Sequence, residues 1–224
     1  MFEGALFDMD GLFVDSEPDW HEAEKSMMKG HGYDWLPADQ LKCLGGPLSR
    51  VTEYMSNCLN GSKSSAELAA EIIDEMDSRL KAGITLMPGA LEFSKKVASL
   101  GIPQALVSAS PRRLVDAVLS QLKGHHFEFT VAAGDIARTK PYPDPYLHAA
   151  KALAIDIRRA IIFEDSPTGL AAAKASGAFT VAIPKFINVS EEPRLKVSKG
   201  FDTLETSDLH SWSEINQHEL DKSS

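Results

Sequence analysis

The run Leu6-Phe7-Asp8-Met9-Asp10-Gly11 closes an apolar stretch on two carboxylates two residues apart. Three more groups able to do chemistry stand far along the chain: Ser108-Ala109-Ser110-Pro111, Lys140 within Thr139-Lys140-Pro141-Tyr142-Pro143, and Glu164-Asp165 ahead of Ser166-Pro167. Burying one carboxylate is costly and crowding several is worse. A cation relieves that cost. Asp8, Asp165 and one backbone carbonyl offer the hard oxygen ligands that Mg²⁺ takes while keeping several waters. Asp8 can also attack phosphorus and form an aspartyl-phosphate. Asp10 is spaced to protonate the departing oxygen and then to take a proton from water. Gly11 lets the backbone turn sharply so that amides approach a phosphate. Ser108 and the Ala109 amide precede a helix start at Ser110-Pro111, which makes a phosphate seat. Lys140 binds phosphate and offsets the charge of Asp8.

Each of these residues taken singly has a plainer reading. An acid before a turn commonly closes that turn, Ser110-Pro111 caps a helix, and a lone lysine is solvated. Glu164-Asp165 suits a helix start through the dipole. The joint reading prevails because all four groups follow an expected strand and each supplies something that phosphoryl transfer requires.

The elements that must position them follow from the pattern. Short apolar runs at Gly4–Phe7, Gln104–Val107, Phe127–Val131, Ala160–Phe163 and Phe179–Ile183 read as buried strands. Helical patterns lie between them, at about 90–100, 110–122, 143–153 and 167–176. Alternating strands and helices imply an α/β fold with a parallel sheet, whose ligands sit beyond the carboxyl ends of the strands. From Ser16 to about Gly83 the pattern is helical throughout, with breaks at Gly30-His31-Gly32, Gly45-Gly46-Pro47 and Asn60-Gly61-Ser62. Ser16, with Pro18 and Asp19 behind it, is expected to cap the first of these helices. The expected division is a core of residues 1–15 and 84–224 and an inserted helical cap of residues 16–83. The polar tail after about Ser207 is expected to fray.

Composition narrows the function classes. The chain has 224 residues, 43 % hydrophobic and 25 % charged, with a formal net charge of −9. No Lys/Arg cluster supplies the basic face that a nucleic-acid binder needs, so no nucleic-acid partner is expected. Cys43 and Cys58 show no metal-ligand spacing and read as free thiols of a reducing compartment. No basic stretch precedes an apolar run at the N-terminus and no run approaches a membrane span, so the expected setting is cytoplasmic, without signal peptide or membrane partner. A monomer acting on a small phosphorylated metabolite is the expectation.

The four groups together resemble the haloacid dehalogenase superfamily, in its phosphatase and phosphomutase branch. Asp8-Met9-Asp10-Gly11 matches the first motif of that family, Ser108 the second, Lys140 the third and Glu164-Asp165 the fourth. The resemblance runs to about residue 207. It implies a Rossmann-like core, a small helical cap inserted after the first strand, and Mg²⁺ held by Asp8, the Asp10 carbonyl and Asp165 with Glu164 in support. It implies catalysis by Asp8 and Asp10, phosphate binding by Gly11, Ser108, Ala109 and Lys140, and substrate reading by Gly46 and Arg50 in the cap. "FDMDGLFVDSEPDW", "VSASPRR" and "FEDSPTG" are similar to sugar phosphatases, including those acting on 2-deoxyglucose 6-phosphate. The related β-phosphoglucomutases have a histidine where Trp20 stands, one position before His21, and a cap lysine that Glu75-Met76-Asp77-Ser78-Arg79 lacks. Both departures favour hydrolysis over the alternative, a phosphomutase. A non-catalytic phosphosugar-binding protein would lack the nucleophile or a metal ligand, and neither is missing. Asp15 is expected to order the hinge or the entrance.

Overall fold

The computed structural model describes residues 1–43, 47–185 and 187–222. Its strands are Gly4–Phe7 (β1), Gln104–Pro111 (β2), Phe127–Ala133 (β3), Ala160–Glu164 (β4), Phe179–Ala182 (β5) and Leu195–Val197 (β6). β1, β4 and β5 are buried along their whole length, as runs covered on both faces must be. The sheet is parallel throughout, in the order β3-β2-β1-β4-β5-β6. The order reverses at β1, which opens a crevice beyond its carboxyl end. Phe7 pairs with Phe163, so the residues that follow, Asp8 just past β1 and Glu164 at the end of β4, stand side by side.

Helices Glu17–Gly30 (α1), Pro37–Cys43 (α2), Leu48–Cys58 (α3) and Ser65–Ala82 (α4) all lie between β1 and β2, followed by Ala90–Ser99 (α5). Among the described residues no strand occurs from α1 to α4. α4 starts on a capping box, with the Ser64 side chain accepting from the Glu67 amide and Glu67 accepting from the Ser64 amide. The two connections into and out of this helical block run against each other. Asp15 N donates to Thr85 O at 2.8 Å and Met87 N to Phe13 O at 3.0 Å. Arg112–Gln121 (α6), Asp144–Ala152 (α7), Pro167–Ser176 (α8) and Thr206–Lys222 (α9) complete the chain. α4 is tied to α6 by Arg113, which donates to Asp77 at 2.7 Å and also pairs with Asp74.

One face of the sheet is filled by aromatic rings. Phe7 stacks on Phe163 with centroids 4.8 Å apart, and Phe13, Phe93 and Phe201 pack around the pair. This packing holds the ends of β1 and β4 in fixed register beneath the carboxylates that follow them.

Three local expectations are corrected. Ser16 sits at the N-cap of α1 but makes no capping hydrogen bond, because its hydroxyl goes to Asp10. Ser110 likewise caps nothing: β2 runs on to Pro111 and α6 begins at Arg112. Residues 208–222 do not fray but lie in α9, where Leu209 and Asn216 are buried and Trp212 stacks on Phe179 with centroids 6.2 Å apart. The sequence reading also missed β6, whose three residues are too few to show a period.

Candidate active site

β1 delivers Asp8 into the crevice and fixes its backbone, since Asp8 N donates to Phe163 O at 3.1 Å. The loop before α7 brings in Lys140, which is almost fully buried. Its ammonium donates to Asp8 Oδ1 at 2.5 Å, to Glu164 Oε1 at 2.6 Å and to the Val107 carbonyl at 2.9 Å. Tyr146, from α7, donates its hydroxyl to Glu164 Oε1 at 2.5 Å. The other oxygen of Glu164 accepts from the Asp165 amide at 3.1 Å and from the Ser166 hydroxyl at 3.3 Å. Glu164 is therefore engaged by protein donors at both oxygens. That suits a residue that orients Lys140 and the Asp165 backbone.

The electrostatics follow from burial. Burial raises the Asp8 pKa well above its ordinary value, Lys140 pulls it back, and Glu164, Asp165 and Asp10 push it up again. Asp165 is pushed up to about 7 by burial and by Glu164. For Lys140, burial works against the charge, and Asp8 and Glu164 outweigh it, so the ammonium is held charged above its usual range. Among the described residues, one ammonium serves the crowded carboxylates Asp8 and Glu164, with Asp165 beside them.

A divalent metal fits this arrangement. Asp8, Glu164 and Asp165 each offer an oxygen within 4.8 Å of the others, and Asp165 Oδ1 is buried with no hydrogen-bond partner. An orphaned buried carboxylate oxygen beside other hard oxygens is what Mg²⁺ would satisfy. Gly11 keeps the space open. Its φ is +79°, and a Cβ there would lie 2.5 Å from Asp165 Oδ2. The Gly11 amide donates to Val14 O at 2.8 Å, so it is engaged in the turn rather than turned to a ligand.

Asp10 stands apart from the other acids. Oδ1 accepts from Ser16 at 2.9 Å, and Oδ2 accepts from Ser108 at 3.0 Å and from Ser110 at 2.8 Å. Its side chain is thus taken up by hydroxyl donors, while its charge still acts on Asp8 and Asp165. The three hydroxyls tether Asp10 to the end of β2 and to the start of the helical block. Ser108 also accepts from the Ser110 amide at 2.9 Å.

Ala109 is exposed at the end of β2. Arg50 is exposed on α3 and donates to the Cys43 carbonyl at 3.4 Å. Gly46 lies outside the described residues. Asp15 accepts from Lys185 at 2.7 Å, which joins the hinge to the loop after β5. Sequence reasoning missed Tyr146 and Lys185, because nothing local marks a residue whose partner is over a dozen positions away. For Ser16 a signal existed: a serine just ahead of a helix and six residues after Asp10.

A family model described as haloacid dehalogenase-like hydrolase matches residues 5–183. Hexitol phosphatase B of Escherichia coli (strain K12) is 32 % identical over 184 residues, covering 80 % of this chain and 82 % of that one. Validoxylamine A 7'-phosphate phosphatase of Streptomyces hygroscopicus subsp. limoneus is 30 % identical over 192 residues, covering 82 % and 86 %. The crystal structure of CbbY from Rhodobacter sphaeroides in complex with phosphate superposes with a TM-score of 0.74 at 25 % identity, covering 91 % of this chain and 96 % of that one.

Proposed function

The chain belongs to the haloacid dehalogenase-like hydrolases, and from that premise we propose that it is a Mg²⁺-dependent phosphatase of phosphorylated sugars or sugar alcohols. The observation that carries this reading is the buried line Asp8–Lys140–Glu164, with the orphaned oxygen of Asp165 beside it. Such a cluster costs folding free energy, and its geometry suits attack on phosphorus. The relatives named as a hexitol phosphatase and a validoxylamine phosphate phosphatase support the substrate class.

Asp8 and Asp165 are the carboxylates that would hold the metal, together with the Asp10 main-chain carbonyl. Mg²⁺, when bound, supplies the positive charge that lets an anionic phosphate approach an anionic carboxylate. Lys140 fixes the rotation of the Asp8 carboxylate and balances the transferring phosphoryl group. Asp8 attacks phosphorus and becomes esterified. Asp10, in its acid form, protonates the departing alkoxide; its carboxylate then takes a proton from the water that releases phosphate from Asp8. Ser108 and Ser110 stand where their hydroxyls serve either Asp10 or a phosphate oxygen. Residues 16–83 act as the cap that excludes bulk water and reads the rest of the substrate.

The test is a screen of sugar, sugar-alcohol and carboxylic-acid phosphates, with inorganic phosphate as the readout. The expected result is release that depends on Mg²⁺ and stops with excess EDTA. Metal-independent turnover refutes the site, and isomerisation of a hexose phosphate without phosphate release refutes hydrolysis.

A further inference from the structure

The segment that leaves β1 and enters the helical block carries three acids, Asp10, Asp15 and Glu17. A cation meets them from much later in the chain. Ile183, just past β5, donates its amide to Glu164 O at 2.7 Å, which pins the start of that loop to the end of β4. Two residues on, the Lys185 ammonium donates to Asp15 Oδ1 at 2.7 Å. The pair is partly sheltered, with its side chains 25 % and 33 % exposed. Glu17 stands close enough to feel it. Burial raises the Glu17 pKa, the charge of Asp10 adds to this, and Lys185 pulls it back.

Asp15 is held twice. Its amide donates to Thr85 O at 2.8 Å, which joins it to the returning linker of the same hinge. Its carboxylate, through Lys185, joins it to the core. The next residue is Ser16, buried, whose hydroxyl donates to Asp10 Oδ1 at 2.9 Å. A contiguous line of bonds therefore runs from the end of β4 through the loop after β5, Lys185, Asp15 and Ser16 to Asp10. On its other oxygen Asp10 accepts from Ser108 and Ser110 at the end of β2. The acid is slung between two parts of the sheet, reached directly on one side and through Lys185 on the other. An ion pair this open contributes little to stability, so its consequence is geometric.

We propose that Lys185 is a positioning residue: by holding Asp15 it sets the place of Ser16 and so aims the Asp10 carboxyl at the departing oxygen of the substrate, a role that rests on the phosphatase reading given above. It acts through Asp15 and Ser16 rather than on the substrate. A catalytic group misplaced by about 1 Å costs about 10²-fold. Ser108 and Ser110 keep their hold when Lys185 is lost, so a fall of about 10-fold is expected.

The experiment uses two phosphate esters with Mg²⁺. One is an alkyl ester, sorbitol 6-phosphate or whichever sugar or polyol phosphate the screen above ranks first; its alkoxide must be protonated as it leaves. The other is p-nitrophenyl phosphate, whose phenolate leaves without a proton. kcat/KM reports the steps from free enzyme and substrate to the first departure, where that difference is felt. Lys185→Met should lower kcat/KM about 10-fold for the alkyl ester, carried by kcat, and less than about 3-fold for the aryl ester. Lys185→Arg, which keeps a donor for Asp15, should recover most of the loss. Asp15→Ala should reproduce it, and the double variant should fall no further than the worse single one. Melting points should drop by no more than about 4 °C. Both esters falling in proportion overturns the proposal and leaves Lys185 a structural residue. A loss carried by KM that Asp15→Ala does not reproduce also overturns it, because Lys185 then touches the substrate itself. A wild type inactive on both esters brings down the phosphatase reading and this role with it, a result separate from the others.

Discussion

Lys140→Met removes the only cation that touches Asp8 and Glu164 among the described residues. The methionine has similar length and no charge, so the loss is electrostatic. The wild-type ammonium donates to Asp8 at 2.5 Å, Glu164 at 2.6 Å and Val107 O at 2.9 Å, and its side chain is 3 % exposed. Removing one partner of a buried ion pair costs about 3–5 kcal/mol, chiefly because the remaining charge is uncompensated. Each kcal/mol moves the melting point of a chain this size by about 2–4 °C. The variant should therefore melt about 6–20 °C lower at pH 8 in EDTA. The penalty has a pH sign. Asp8 is pushed up by burial, and Lys140 is the group that pulls it back; without Lys140 the folded-state value rises further. A carboxylate whose folded pKa exceeds the unfolded value of about 4 loses stability as pH rises from there through the folded value, and regains it on acidification. Lys140 is raised above its usual range, so its own contribution is fully present below about pH 10 and stays constant over the assay. The gap between wild type and variant should shrink steadily from pH 8 to pH 5. Differential scanning fluorimetry at four pH values in EDTA measures it. A gap equal at both ends, or below about 3 °C throughout, would refute the view that Lys140 neutralises a crowded acid cluster.

Three further outcomes are expected. Asp10→Asn should lower kcat by about 10²–10⁴-fold with KM little changed, because its role is proton transfer; steady-state kinetics on the best substrate checks this. Asp165 is raised to about 7 by burial and Glu164, so its ionisation costs stability from about pH 4 upward until it is complete above pH 7. The metal-free protein should therefore melt higher at pH 5 than at pH 8, and Mg²⁺ should raise the melting point more at pH 8. At Gly169, which faces the Glu164 carboxylate, an added Cβ would overlap its oxygens. Gly169→Ala should cost about 1–3 kcal/mol and weaken Mg²⁺ binding, read as a smaller Mg²⁺-induced rise in melting point.

Much of the frame was legible because strand period and apolar content are local properties. β1 and α8 fall on the expected residues, and α5 ends one residue short of the expected end. The carboxyl ends of the strands then point to Asp8, Ser108 and Glu164-Asp165 before any coordinates are seen, since a parallel sheet presents those ends on one side. The failures share a cause. Ser16 and Ser110 look like helix caps because a hydroxyl ahead of a helix usually serves that helix. In the fold, a carboxylate brought close by the chain path outcompetes the helix for both hydroxyls. The tail looked unstructured because α9 is largely polar, and only contact with β5 shows that Leu209 and Trp212 have somewhere to pack.

Residue types and their order along the chain determined the chemistry: which acids, which lysine and which serines could serve phosphoryl transfer. They also determined the alternation of elements that sends those residues to one end of a sheet. Tertiary structure alone decided who holds whom. Lys140 between Asp8 and Glu164, Tyr146 on Glu164, three hydroxyls on Asp10 and the unused oxygen of Asp165 are all matters of distance in space. Hydrogen bonds and charge pairs act over a few ångströms, while their partners here lie as many as 132 residues apart in the chain. No local pattern carries that information until the sheet brings the strand ends together.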